Sequence, residues 1–354
     1  MTQRIHIFFY TLLVLALIAM TGVAAFLFGK VQNQPEISAT NNSAPGQQTT
    51  INSNTTAQPT LQNDLAEHDT WVTFSADPAS FSVGTLIAES ASVPDVLVCP
   101  PEVETTACQD DELLVYFVNT EGFKTAGDEQ IALIRSTDGG KTWSDKAGIT
   151  IQGKESALGA VDPSVVMLDD GSVRLYFFGS TIRAGDPASA EGEHVFYSAL
   201  STDGLNFTLE EGQRLSREKM TDPEVVGWNG LWYMLYSVGP NSGLAVSSDG
   251  LSFEDKGLIS PSFGGVPGLV VTDDGLLGYG CQMGISSSVS TDGLTFTKNS
   301  SPALQLSEGI LCDPAVDRYK DEYVMVYKTA PAQSGNQQTP NGAFQNQNIP
   351  PLQQ

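Results

Sequence analysis

Five short stretches of this 354-residue chain place a proline near the head of an apolar run: "SVPDVLV" from 92, "VDPSVVM" from 161, "TDPEVVG" from 221, "GVPGLVV" from 265 and "CDPAVDR" from 312. Aligned on that proline, Val93, Asp162, Asp222, Val266 and Asp313 stand before it, and Asp95, Ser164, Glu224, Gly268 and Ala315 stand after it. Residues two apart on a strand share a face, so Asp95, Asp162, Asp222, Glu224 and Asp313 are expected to converge on one pocket. Like charges a few ångströms apart raise one another's pKa. That conflict suits acid/base cleavage of a glycosidic bond, in which one carboxyl stays protonated as the acid and another, ionised, serves as base or nucleophile. Three other readings stay open: sugar or protein binding without turnover, turn capping by Asp, and a ring that holds water or a structural calcium ion in the central channel. No other cofactor is expected.

Such a convergence requires repeated sheets. Each proline start leads into a second apolar run: "ELLVYFVN", "SVRLYFFGS", "LWYMLYSVG", "LLGYGCQ" and "EYVMVYKT". Turn sequences such as "LDDGS", "WNG" and "TDDGL" join the two runs as tight hairpins. The repeat of about 45 to 65 residues lies in the range of propeller blades. Four phrases, "STDGGKTW" at 136, "STDGLNF" at 201, "SSDGLSF" at 247 and "STDGLTF" at 290, fall between third and fourth strands. In them Asp binds its own backbone and Gly supplies positive φ. The fifth copy is at the other end of the domain, where "FSADPASF" sets Ser75, Asp77 and Phe81 at the spacing of Ser201, Asp203 and Phe207. The expected fold is therefore an all-β, five-bladed propeller of four-stranded antiparallel blades, in which the segment around Trp71 to Ile87 completes the last blade.

The phrase resembles the Asp-box of sialidases, Ser-x-Asp-x-Gly-x-Thr-Trp, matched in full by Ser136, Asp138, Gly140, Thr142 and Trp143. The resemblance implies a scaffold role, away from the active face, for Asp77, Asp138, Asp203, Asp249 and Asp292. "AVDPSVVMLDDGSVRLYFFGS" and "TDPEVVGWNGLWYMLYS" look like inner blades of the arabinanase, xylosidase and invertase group of five-bladed glycosidases. Carried over by position, that likeness implies Asp95 as general base, Asp162 as the residue tuning pKa and orientation, and Glu224 as general acid. Asp95 follows its proline, whereas the group's Asp precedes it, and Thr221 stands two before Pro223, where the group has its Glu. Sialidase activity is a minor alternative, because the first strand start lacks the arginine that sialidases carry there.

Around the mouth, Asp222 and Asp313 are candidates for substrate contact. So are Arg183 and His194 in "STIRAGDPASAEGEH" and Arg217 in "EEGQRLSREKM", two stretches expected as loops on the open face. Arginine orients hydroxyls or holds a carboxylate through two bonds.

The 41 acidic against 17 basic residues give a net charge of −24. That excludes nucleic acid and anionic lipid as partners, since phosphate binding needs clustered Lys and Arg. The glycosidase resemblance implies a glycan or oligosaccharide as partner, with a protein partner as the alternative, and a monomer is expected. Residues 5–29 form an apolar run long enough to span a bilayer, behind a short cytoplasmic end at 1–4. Continuation of the run past Val23-Ala24-Ala25 favours an anchor over a cleaved signal peptide. Residues 30–66 are a linker rich in Asn, Gln, Ser, Thr and Pro, 67–329 the propeller, and 330–354 a similar tail. The expectation is a single-pass cell-membrane protein with its propeller outside the cytoplasm. Four cysteines in an exported chain allow three pairings. The short loop between them favours Cys99 with Cys108, leaving Cys281 with Cys312.

Overall fold

The computed structural model describes residues 67–331, apart from 102–104, 123–129, 157 and 181–191. The expected anchor, the linker through residue 66, the tail from 332 and Arg183 lie outside the described residues. The chain enters through β1 (Asp69–Ser75) and β2 (Thr85–Ala88). Blade I follows with β3 (Ala91–Val98), β4 (Leu113–Asn119), β5 (Gln130–Ser136) and β6 (Ala147–Gly148). After β7 (Thr150–Gln152), blade II comprises β8 (Gly159–Met167), β9 (Val173–Ser180), β10 (Glu193–Ser201) and β11 (Asn206–Leu209), with β12 (Leu215–Glu218) beside it. Blade III is β13 (Met220–Trp228), β14 (Leu231–Val238), β15 (Asn241–Ser247) and β16 (Glu254–Leu258). Blade IV is β17 (Gly265–Thr272), β18 (Gly275–Gln282), β19 (Gly284–Ser290) and β20 (Thr297–Lys298). Strands β21 (Ile310–Tyr319) and β22 (Glu322–Ala330) pair with β1 and β2 in the order β2-β1-β22-β21, which makes blade V from both ends of the domain.

The closure expected from the displaced fifth turn is thus a seven-pair antiparallel seam, running from Asp69↔Thr329 to Ser75↔Tyr323. Blade II departs from four strands. Strand β11 pairs with only Ala199 and Leu200 of β10, which leaves Glu193–Phe196 without an outer neighbour. Strand β12 takes that edge, so the stretch around Arg217 is a strand and not the expected loop. Strand β7 adds in parallel to β11. In the hairpin between β13 and β14, Asn229 (φ 52°) and Gly230 (φ 75°) are both left-handed. This is the paired positive φ that a two-residue turn matching strand twist demands.

The core lies between blades, in five clusters, one per gap. Leu97, Tyr116 and Leu133 of blade I meet Val165, Leu175 and Phe177 of blade II, and Met234 and Tyr236 of blade III meet Phe178 and Phe196 of blade II. Similar groups fill the gaps III/IV, IV/V and V/I. Both faces of each blade are therefore covered. That is why β9 (VRLYFFGS) is buried at all eight positions and its sequence does not alternate. Tyrosines latch neighbouring blades: Tyr116 Oη donates to Gly204 O at 2.9 Å, Tyr176 Oη to Gly250 O at 2.8 Å and Tyr279 Oη to Pro78 O at 2.7 Å. Disulfides join Cys99 to Cys108 and Cys281 to Cys312.

Removing residues 67–88 takes two strands from blade V, strips one wall from the V/I core and exposes β22 as an unpaired edge. The shortened protein is expected to lose its cooperative thermal transition in calorimetry. A sharp transition retained at the parental temperature would show that the seam does not close the ring. Within a gap, Phe177→Ala should cost about 3–5 kcal/mol in urea unfolding, the usual range for an emptied buried aromatic site.

Candidate functional site: an axial mouth

Each inner strand breaks register at its proline. Pairing jumps between Ser92 and Asp95, Val161 and Ser164, Thr221 and Glu224, Gly265 and Gly268, and Cys312 and Ala315. At every jump the residue before the proline is left-handed: Val93 at 49°, Asp162 and Asp222 at 53°, Val266 at 48° and Asp313 at 51°. Proline has no N–H to lose from the ladder, so it fits a bulge. Positive φ is unfavourable for a β-branched valine, and two valines adopt it here. The bulge breaks the two-residue alternation, and the five axial carboxylates that the sequence aligns on one face fall into two groups.

The first group follows the prolines and ties blade to blade. Asp95 Oδ2 accepts from the Val165 amide at 2.5 Å and its Oδ1 from Val96 N at 2.8 Å. Ser164 Oγ accepts from Val225 N at 2.9 Å, and Glu224 Oε1 from Leu269 N at 3.2 Å. In the gap IV/V the position is Gly268, where an added Cβ would lie 2.1 Å from Pro314 O, so the backbones themselves are in contact. In the gap V/I Asp317 Oδ2 accepts from Val98 N at 2.8 Å. These bonds satisfy amides on the inner edge of each sheet, which no further strand covers. Asp95 and Glu224 are only 4% and 7% exposed. Burial pushes Asp95 up to about 8 against the pull of its two amides, with Asp317 adding repulsion. Glu224 is pushed well above the carboxylate range by burial and then by Asp95. Burial raises Asp317 to about 6.

The second group stands at the mouth, where the inner strands begin. The Asp222 amide donates to Asp162 Oδ2 at 3.3 Å, and Thr221 Oγ1 donates to Asp222 Oδ2 at 2.6 Å. Asp313 forms an ion pair with Lys328 of β22, and both are buried. Burial, then repulsion from Asp222, holds Asp162 well above its ordinary value. Burial, then Asp313, lifts Asp222 to about 6, while Thr221, Lys328 and Ser237 oppose the rise. Asp162 and Asp222 are half-buried, in contrast to Asp95 and Glu224. The mouth thus presents two adjacent carboxyls, both held above the ordinary carboxylate range, Asp222 at about 6.

The remaining predicted residues lie elsewhere. His194 is buried, with Nδ1 2.8 Å from Met220 O, its ring tilted over Phe178 and Nε2 without a partner. Arg217 binds Asp255 at 2.5 Å and Tyr236 Oη at 3.1 Å, linking β12 to blade III. The turn aspartates sit between third and fourth strands. Asp138 Oδ1 accepts from Lys141 N and Thr142 N, Asp203 Oδ1 from Leu205 N and Asn206 N, Asp249 Oδ1 from Leu251 N and Ser252 N, and Asp292 Oδ1 from Leu294 N and Thr295 N. Asp77 Oδ1 accepts from Ala79 N. Hydrogen bonds hold Asp138, Asp249 and Asp292 down at about 2. Among the described residues no group of three or more His, Cys, Asp or Glu is arranged to hold a metal ion. Sequence reasoning missed Lys328, Asp317 and His68. A lysine at the end of the otherwise apolar "EYVMVYKT" was the available signal for the first.

The raised carboxyls have a signed effect on stability. In the unfolded chain they ionise near pH 4, whereas folded Asp95, Asp162, Asp222, Glu224 and Asp317 keep their protons to higher pH. Their contribution is complete below the unfolded value and is lost as pH rises through the folded ones. His68, held down at about 3 by burial and then by Lys328, opposes them, but only up to its unfolded value near 6.5. Unfolding free energy should therefore fall as pH rises between about 5 and 8, on the order of a few kcal/mol. Glu224→Gln, whose amide oxygen still accepts from Leu269 N, should flatten that slope in urea titrations. An unchanged slope in this variant would sink the assignment.

No known protein-family model matches the chain, and no curated protein matches it. Solved structures similar to it include an α-L-arabinanase of Penicillium chrysogenum complexed with arabinobiose, at 13% identity over 70% of this chain and 81% of that one, TM-score 0.45. A sucrose-6-phosphate hydrolase from Lactobacillus gasseri is 13% identical over 73% of this chain and 55% of that one, TM-score 0.48. The sialidase of Trypanosoma rangeli in complex with the inhibitor DANA is 10% identical over 70% and 56%, TM-score 0.39. This chain thus spans little more than half the length of the last two, and the similarity is one of fold alone.

Proposed function

We propose that the chain is a glycan-recognising propeller that binds a neutral sugar at the axial mouth through Asp162 and Asp222. The observation that carries this reading is the division of the axial carboxyls. Asp95 and Glu224, which the sequence offers as base and acid, bind backbone amides of the next blade, whereas Asp162 and Asp222 are only half-buried at the mouth. Two adjacent carboxyls, each able to accept from a hydroxyl when ionised and to donate to one when protonated, match vicinal sugar hydroxyls, each of which both donates and accepts. The propeller is exported and tethered through residues 5–29. Two disulfides support an oxidising compartment, and the length of the apolar run supports the anchor.

A second reading, glycoside hydrolysis, is favoured by the same adjacent pair of raised carboxyls, one serving as proton donor and the other as its ionised partner. One experiment separates the readings: the full chain is titrated with pentosides, hexosides and sialosides by calorimetry while release of free sugar is followed. Binding without turnover supports recognition alone. Asp162→Asn and Asp222→Asn should each weaken binding by about 1.5–3 kcal/mol, the worth of a charge-assisted hydrogen bond. Glu224→Gln should leave binding within about 0.5 kcal/mol of wild type, as expected of a residue outside the site. Unchanged affinity in both mouth variants would refute the site. Turnover abolished by Glu224→Gln and Asp95→Asn alone would move the chemistry to the deeper group.

A further inference from the structure

Lys328 plays no role in the fold that its neighbours on β22 do not already play. The strand is apolar from Tyr323 to Tyr327 and is paired on both sides, to β21 and β1. An aliphatic residue would continue it. Instead an ammonium with a side chain only 8% exposed is buried at the mouth, paired with Asp313, whose side chain is 3% exposed. Removing two charges from water is costly, and such a pair is often replaceable by apolar residues without loss of stability. That makes a purely structural account of Lys328 weak.

Its surroundings point elsewhere. The titratable groups around it come from three elements and a preceding residue: Asp162 of β8, Asp222 of β13, Asp313 of β21 and, ahead of β1, His68, whose Nδ1 lies 2.9 Å from Ser92 Oγ of β3. Hydroxyls of Thr221 and Ser237 also reach Asp222. Arg135, Arg174, Arg217 and Arg318 are engaged with Glu112, Glu210, Asp255 and Asp273 away from this group. Among the described residues, Lys328 is a cation whose charge acts on all three carboxyls.

We propose that Lys328 is a positioning residue for the mouth: by holding Asp313 in a buried ion pair beside Asp162 and Asp222, it keeps Asp222 available as a hydrogen-bond acceptor. Without the ammonium, Asp313 would repel Asp222 unscreened and favour its protonated form, and the acceptor would be lost. The inference builds on the glycan reading of the same site, but its test needs no ligand.

The full chain is labelled with aspartate carrying 13C at Cγ, and the carboxyl shifts are followed from about pH 4 to 9. The Asp222 signal is identified by its loss in Asp222→Asn and is expected to titrate near 6. In Lys328→Met its midpoint should move up by about one pH unit or more, the usual effect of a lost opposite charge at this range, and Lys328→Arg should restore it. In Asp313→Asn, which releases the ammonium to Asp222 and removes a repelling charge, the midpoint should move down. That second variant decides the matter if Lys328→Met does not fold. A midpoint unmoved in a folded Lys328→Met, or unmoved in Asp313→Asn, overturns the proposal and leaves Lys328 as a partner of Asp313 only. Midpoints that move as expected in a protein that binds no sugar would uphold the role of Lys328 and refute the glycan reading instead.

Discussion

The fold depends on how the innermost strand of each blade deals with amides that no further strand can reach. A sheet ordinarily protects such an edge by shortening it, charging it or covering it. Here each inner strand bulges at its proline, and beyond the bulge the neighbouring blade supplies an acceptor: a carboxylate in three gaps, a hydroxyl in one, and direct backbone contact in the fifth. The ring is therefore held by directional bonds near the axis and by apolar clusters farther out. Chemistry at the centre has to use what this arrangement leaves over, namely the residues before the prolines.

That division explains what could be read in the sequence. The blade count, the displaced closing strand and the disulfide pairing follow from local signals: turn phrases with obligatory Gly and Asp, apolar runs and a short cysteine loop. None of these requires knowledge of register. The placing of the axial carboxylates does. A one-residue bulge reverses which face a side chain takes, and nothing in "TDPEVVG" distinguishes a regular strand from one that turns left-handed at Asp222. Ser164 held a clue, because a hydroxyl at the position of Asp95 and Glu224 suits an amide acceptor better than a catalytic acid. The partner of Lys328 was unreadable for another reason, since Asp313 is brought to it by the pairing of β21 with β22.

Aspartate does opposite work at the two ends of the same strands. In the turns it is open to water and surrounded by amides, which favour the charge. At the axis it is buried among its own kind, which disfavours it. The chain's large negative charge is thus not uniform in effect: one set of acids is satisfied locally, and another is held in competition for few protons and one lysine.

The seam between β1 and β22 gives the domain a direction of mechanical weakness. A load arriving from the N-terminal side enters at Asp69, whose partner Thr329 lies directly across from it at the same end of the seam. Antiparallel strands pulled from such an end separate pair by pair, like a zipper, and do not resist together as they would in shear. The other border of the blade differs, because the Cys281–Cys312 bond ties β21 covalently to blade IV. Tension would therefore open the ring first at the β1–β22 seam, before any load reaches the border that the disulfide fastens.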